Sequence, residues 1–359
     1  MSKQIEAITN LLEKFPISAW IIDTDQNIIY MNRIMRELFG DLAGNKTSIV
    51  YDCGSFEIVQ QKNDESEVVI SDVPFRHISS EVDLGEDGVF GIEFFEDISE
   101  QKLTYSKMSQ VLAKLNAEIQ IAKTIQNSIL PIDNIYWNTM AFSSLYMPAD
   151  DLGGDFYDLL KLSDDEYLIY IADVSGHGIQ ASLLTIFMRE RVRTNMESAL
   201  TGTGELLSKL VHDFSALEID ETVYVTMTFC KYNKSKRELT ISNAGLNCYP
   251  IVVRNNGRME TVPTHGMPVC ALADGLDYDE EVISINPGDR LILFTDGVVE
   301  EVDSMTGAAL GSEGVRRIAG EYHDFNGSYL AHKIMEESDR YTLISARDDR
   351  SIVVVDILS

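Results

Sequence analysis

Cysteine is scarce and scattered in this chain. Four residues in 359, Cys53, Cys230, Cys248 and Cys270, form no C-x-x-C pair and no zinc spacing. A disulfide-built secreted scaffold is thereby excluded, and buried thiols of a reducing compartment are expected. Long apolar runs are missing as well. No stretch reaches the ~18 consecutive apolar residues of a membrane span, and residues 1–15, with Lys3, Glu6 and Glu13, lack an apolar core of signal-peptide length. A cytoplasmic protein with no membrane partner is expected. Positive charge is also short: 29 Lys and Arg against 58 Asp and Glu leave a net charge of −29. Nucleic acid, which demands a basic surface, is excluded as a partner. What remains is a 45% hydrophobic chain long enough for two domains.

Three regions separate by pattern. Residues 1–98 alternate short strands with turns. Ser18–Ile22 runs into the Asx-rich turn Asp23-Thr24-Asp25-Gln26-Asn27. A second strand, Ile28–Met31, follows, and Asn32 is placed to cap a helix beginning at Arg33. Further strands are expected at Ser66–Ile70 and Val89–Phe95, and Asp97-Ile98-Ser99-Glu100 closes the segment. This order resembles a PAS sensor domain. No cofactor signature accompanies it: His77, among Phe75, Arg76 and Ile78, reads as structural, and Cys53 lacks the surroundings of a flavin-reactive thiol.

Residues 99–131 read as one helix with a heptad seam, Tyr105, Met108, Leu112, Leu115, Ile119, Ala122, Gln126 and Ile129, stopped by Pro131. Heptads sustained over this length predict a coiled coil and a homodimer through the helix. Residues 132–359 read as hairpins interrupted by helices. Strands are expected at residues 155–162, 167–174, 223–232, 238–243, 291–295 and 351–358. Helices are expected at 179–196, amphipathic through Leu183, Ile186 and Phe187, and at 205–217, 312–322 and 328–341. Consecutive strand pairs with inserted helices predict packed antiparallel sheets with helices outside.

Four acidic stations punctuate this last region: Gly153-Gly154-Asp155-Phe156-Tyr157-Asp158, Asp173-Val174-Ser175-Gly176-His177-Gly178, Phe294-Thr295-Asp296-Gly297 and Asp348-Asp349. Each sets an Asp against an apolar strand pattern. Two unit charges ~4 Å apart repel by roughly 4 kcal/mol at an effective dielectric near 20. Convergence of four therefore requires hard divalent cations with oxygen ligands, and the spacing points to a bimetallic hydrolytic centre.

With Asn243-Ala244-Gly245 between them, these motifs occur in the order of the metal-dependent serine/threonine phosphatases (the PPM family). They resemble most its SpoIIE/RsbU/RsbP-like bacterial branch, over roughly residues 118–359. The resemblance implies an α+β protein: a PAS-like sensor (1–98), a coiled-coil signalling helix (99–131) and a PPM β-sandwich flanked by helices (132–359). It implies two Mn²⁺ or Mg²⁺ ions. Asp173 would bridge them, the Val174 carbonyl would add a ligand, Asp155 would serve the first ion, and Asp296 and Asp348 would hold the second. Asp155 and Asp173 then carry catalysis, in which a water activated by the two metals attacks phosphorus in line. Asp158, His177, Gly297, Asn243 and Asp349 would stand around this set. Asp348 and Asp349 compete for the ligand position, with the family register favouring Asp348. Leu246 stands where this branch commonly has histidine. The implied substrate is a phosphoserine or phosphothreonine on an anti-anti-sigma (STAS) protein. A catalytically silent scaffold is the alternative. Nucleotide cyclase is a weaker one, suggested by Gly153-Gly154-Asp155-Phe156 but leaving Asp296 and Asp348 without use.

Overall fold

The computed structural model describes residues 3–47, 56–62, 65–70, 72–131, 135–176, 178–300, 302, 307–341 and 348–359. It divides into two compact units, residues 1–115 and 116–359. Cys53 and His177 lie outside the described residues. Among the described residues no helix is long and apolar enough to cross a membrane.

In the first unit, β1 (Ser18–Ile22), β2 (Ile28–Met31), β3 (Phe56–Lys62), β4 (Glu65–Ile70), β5 (Val73–Asp83) and β6 (Val89–Asp97) form an antiparallel sheet in the order β2-β1-β6-β5-β4-β3. The strands β3 and β5 and the helix α1 (Lys3–Leu12) add to the elements expected from sequence. Strand β1 is buried on both faces. Trp20 and Ile22 pack with Met31, Met35 and Phe95 on one side, and Ala19 and Ile21 pack with Leu12 on the other. Asn32 caps α2 (Arg33–Phe39) as expected, accepting from the Met35 amide at 2.9 Å. It also accepts from Ala19 N–H and donates to the Ile17 carbonyl, fixing the helix to the strand before it. His77 stacks on Phe95, and its Nε2 lies 3.2 Å from buried Glu93.

Helix α3 (Ser99–Ile129) follows Asp97, whose carboxylate accepts from Ser99 N–H at its start. The first half of the heptad seam, Tyr105, Met108, Leu112 and Leu115, is exposed. Gln126 is buried in the second unit.

The second unit is two antiparallel sheets. One runs β15-β12-β11-β10-β9, from β9 (Phe156–Lys161), β10 (Glu166–Val174), β11 (Val225–Asn233), β12 (Glu238–Ala244) and β15 (Glu281–Ser284). The other runs β14-β13-β16-β17-β8-β7, from β7 (Ile135–Tyr136), β8 (Met140–Met147), β13 (Ile251–Val253), β14 (Met259–Thr261), β16 (Arg290–Phe294) and β17 (Arg350–Ile357). Side chains alternate along a strand, and β10 uses both faces. Tyr167, Ile169 and Ile171 join Phe142, Leu293 and Val353 in one core. Leu168, Tyr170 and Ala172 join a second core under the helices α4 (Ile179–Thr194), α5 (Met196–Thr201) and α6 (Thr203–Ser215). Full burial of each such side chain is worth roughly 1.5–3 kcal/mol. The same alternation puts Asp173 on the face shared with Ile169 and Ile171. Helices α7 (Gly311–Glu321) and α8 (Gly327–Ser338) complete the unit.

Two expectations about the helix after the second station are corrected. Its buried face is Ala181, Leu184, Thr185, Met188 and Val192, while Leu183 is 62% exposed. The register follows Thr185, whose hydroxyl reaches the Gly154 carbonyl at 3.1 Å. The helix also stops at Thr194, because the Asn195 side chain donates to the Arg191 carbonyl and a separate α5 begins.

Candidate metal centre

The acidic stations lie where ends of the two sheets meet. Asp155 immediately precedes β9, Asp173 is one residue from the end of β10, Asp296 opens the turn after β16, and Asp348-Asp349 precede β17. Hydrogen bonds tie these ends together. Asp155 Oδ2 accepts from the Thr295 hydroxyl at 2.8 Å, and the Thr295 Oγ1 in turn accepts from Ser351 N–H at 2.9 Å. Asp349 accepts from Ala149 N–H at 2.8 Å and from Gly154 N–H. The helix α3 reaches the same loop: Gln126 Nε2 donates to the Gly153 carbonyl at 2.6 Å, and Gly153 N–H donates back at 3.3 Å.

Two glycines permit the approach. A Cβ at Gly154 would lie 2.6 Å from the Val174 carbonyl oxygen and 3.4 Å from an Asp173 carboxylate oxygen. A Cβ at Gly297 would lie 2.2 Å from the Asp349 carbonyl oxygen. Any larger residue would push the second station away from the first, or the third from the fourth.

Electrostatics are adverse throughout. Burial, then the charges of Asp173 and Asp349, push Asp155 well above the ordinary carboxylate range, against the hydrogen bond from Thr295. Burial, then Asp296, Asp348 and Asp349, push Asp173 up to about 7. Asp296 is raised by burial, Asp348 and Glu300. Asp349 is raised by burial, opposed by the amides of Ala149 and Gly154.

Such repulsion suits a cation site. Among the described residues no three Asp, Glu, His or Cys side chains converge on one point. The charges are nonetheless close enough to act on one another: Asp173 and Asp349 on Asp155, Asp296, Asp348 and Asp349 on Asp173, and Asp348 on Asp296. Asp155 Oδ1 is buried and takes no hydrogen bond. An all-oxygen set with an orphaned buried carboxylate oxygen fits hard divalent ions sharing the ligands.

The remaining candidates divide. Asp158 is removed from this set of carboxylates: it faces α4, bound by Arg193 at 2.7 and 3.1 Å and by Arg189 at 3.2 Å. Asn243 closes its own turn through two hydrogen bonds with the Leu246 backbone, and Leu246 is a core residue. Asp349 is buried and Asp348 exposed. Thr295, inside the third motif, and Ser351, two residues after Asp349, are given no role in the reading of the sequence. Nor are Glu300 and Cys248, whose surroundings include Asp296. Thr295 was legible as the hydroxyl preceding Asp296. Ser351 depends on the pairing of β17, and Glu300 follows Asp296 by one turn, its N–H bonded to the Asp296 carbonyl.

The fold of the second unit is that of a PP2C-type phosphatase domain. The SiaA-PP2C domain of Pseudomonas aeruginosa superposes with a TM-score of 0.60 at 18% identity, covering 69% of this chain and 99% of that one. Residues 163–358, more than half of the chain, match the family described as Stage II sporulation protein E (SpoIIE), and the chain belongs to that family. Phosphoserine phosphatase RsbU of Bacillus subtilis (strain 168) is 26% identical over 190 residues, 52% of this chain and 55% of that protein. Phosphoserine phosphatase RsbP of the same organism is 25% identical over 197 residues, 53% of this chain and 48% of that protein. The chain thus spans about half the length of the curated relatives it matches.

Proposed function

We propose that this chain is a signal-regulated, metal-dependent protein serine/threonine phosphatase acting on a phosphorylated STAS-type anti-anti-sigma protein. The observation that carries the reading is the set of mutually repelling carboxylates, from buried Asp155 through Asp173 and Asp296 to exposed Asp348, at the meeting of two sheet ends. Asp173, with the Val174 carbonyl, would hold both of two Mn²⁺ or Mg²⁺ ions, Asp155 the first, and Asp296 with Asp348 the second. The chemistry such ions supply is Lewis acidity, which makes a water nucleophilic near neutral pH and screens phosphoryl charge. Thr295 orients Asp155 through its hydroxyl, and Asp349 anchors the 149–154 loop through backbone amides. His177 would stand beside this set.

The names of RsbU and RsbP, both phosphoserine phosphatases, support the substrate class. Regulation would enter from a PAS-like sensor at residues 1–98 through the linker at 99–131, in a cytoplasmic homodimer. The exposed stripe Tyr105, Met108, Leu112 and Leu115 supports a second copy of the helix as its partner. The Gln126–Gly153 hydrogen bonds support the helix as the route to the centre, since they join it to the loop carrying Asp155. Only a few kcal/mol of differential stability is needed for such a shift.

The test is Mn²⁺-dependent phosphate release from a phosphoserine-bearing STAS protein, with Asp173→Ala as control. Turnover by the parent chain and loss in the variant are expected. Absence of turnover by both would leave a silent scaffold as the better reading. A truncation starting near residue 118 whose rate and metal demand equal those of the full chain would contradict the regulatory route.

A further inference from the structure

Three buried polar atoms beside the carboxylates take no hydrogen bond: Asp155 Oδ1, the Ser351 hydroxyl and the Tyr146 hydroxyl. Tyr146 and Ser351 are directly opposed on β8 and β17, so both hydroxyls come from one end of one sheet. The Tyr146 hydroxyl and the Asp349 carboxylate crowd the same side of Gly153. A Cβ there would lie 2.1 Å from the phenol oxygen and 2.6 Å from each carboxylate oxygen. A phenol keeps its proton at neutral pH, so at this place its O–H stands beside the Asp349 carboxylate as a donor.

A protonated phenol surrounded by carboxylates can act toward them only as a donor. Left without an acceptor in a buried place it costs free energy, and such orphans call for a specific explanation. The oxygen is sealed from solvent, so a substrate phosphoryl group does not reach it. The acceptor must belong to the protein. Asp349 already takes Ala149 N–H and Gly154 N–H, and an ionised carboxylate has room for further donors.

We infer that Tyr146 is a positioning residue of the metal centre: in the cation-loaded protein its hydroxyl donates to Asp349 and completes, with the Ala149 and Gly154 amides, the clamp that holds Asp155 in place. This rests on the metal-dependent reading above and adds to it a residue that coordinates nothing. A group hydrogen-bonded directly to a ligand typically governs metal affinity by about 10–100-fold, and Tyr146, which acts through the anchor Asp349, stands one hydrogen bond further out.

Tyr146→Phe in the full chain removes one oxygen and nothing else. Mn²⁺ affinity is read by titration calorimetry, and melting temperature is read with and without Mn²⁺. The expected result is a dissociation constant weaker by up to roughly tenfold, the lower bound for a direct partner of a ligand, with the metal-free melting temperature unchanged or raised, because the lost hydroxyl was unsatisfied there. A variant that binds Mn²⁺ as the parent does would overturn the inference. So would a melting temperature lowered equally with and without the ion, which marks a packing role alone. A parent chain that binds no Mn²⁺ would overturn both this inference and the metal-dependent reading beneath it.

Discussion

Replacing Asp173 by Asn should stabilise the metal-free protein. Asp173 ionises in the folded chain at about 7 instead of 3.8, because it is buried and faces Asp296, Asp348 and Asp349. A carboxyl whose folded value is raised contributes its stability at low pH. The contribution is complete below about pH 4 and is lost as pH rises through about 7. At about 1.4 kcal/mol per pH unit, that gap sets a ceiling of about 4 kcal/mol on the penalty above pH 7. Asn keeps the shape and removes the charge. In EDTA, Asp173→Asn is therefore expected to exceed its parent by about 1–4 kcal/mol at about pH 8 and to match it near about pH 4. Urea unfolding followed by circular dichroism at the two pH values measures both differences. Mn²⁺ should reverse the order, since the parent exchanges repulsion for ligation and the variant has less to gain. A variant less stable than its parent in EDTA at about pH 8 would refute the reasoning. Equal stabilisation at both pH values would refute it too, because the effect would then not be one of charge.

Two further substitutions separate the parts of the site. Gly297→Ala puts a methyl 2.2 Å from the Asp349 carbonyl oxygen. It should cost about 1–3 kcal/mol in urea unfolding and raise the Mn²⁺ concentration for half-maximal turnover, because the Asp296 turn and the Asp348 segment must part. Asp158→Ala removes the buried carboxylate that pairs Arg189 and Arg193, leaving the buried guanidinium of Arg189 to exposed Glu190 at 3.4 Å, at a cost of about 3–5 kcal/mol. Its Mn²⁺ demand should stay that of the parent. A changed metal demand would show that Asp158 reaches the centre after all.

Much of this arrangement was legible because the signals were local. Asn32 could be read as a cap from its place between a strand and Arg33, and the cap hydrogen bond to Met35 is there. The strand patterns around residues 167–174 and 351–358 fall within about a residue of β10 and β17. Strand β5 escaped because Val73–Asp83 mixes a proline, charges and serines without clean alternation, and its partners in β4 and β6 hold it in place. The face of α4 was misread for a related reason. Leu183 is apolar, yet the turn is oriented by Thr185 bonding the Gly154 carbonyl, a contact 31 residues away in sequence.

Adjacent residues in an extended segment point to opposite sides, which is why Asp348 and Asp349 could not be told apart by composition. Once β17 is paired with β8 and β16, the two carboxylates have different environments. Asp349 is buried against the loop before β9, its oxygens occupied by the amides of Ala149 and Gly154. Asp348 is exposed and is the strongest charge acting on Asp296. A carboxylate whose two oxygens each already accept a backbone amide makes a poor ligand to a cation and a good anchor for a loop. The competition is then a division of labour: Asp349 holds the loop that carries Asp155, while Asp348 leaves its charge on the side of Asp296 and Asp173. Asp348→Asn should cost metal affinity alone, whereas Asp349→Asn should cost folding stability and, through the clamp on Asp155, metal affinity with it, so calorimetric Mn²⁺ titration beside urea unfolding distinguishes the two roles.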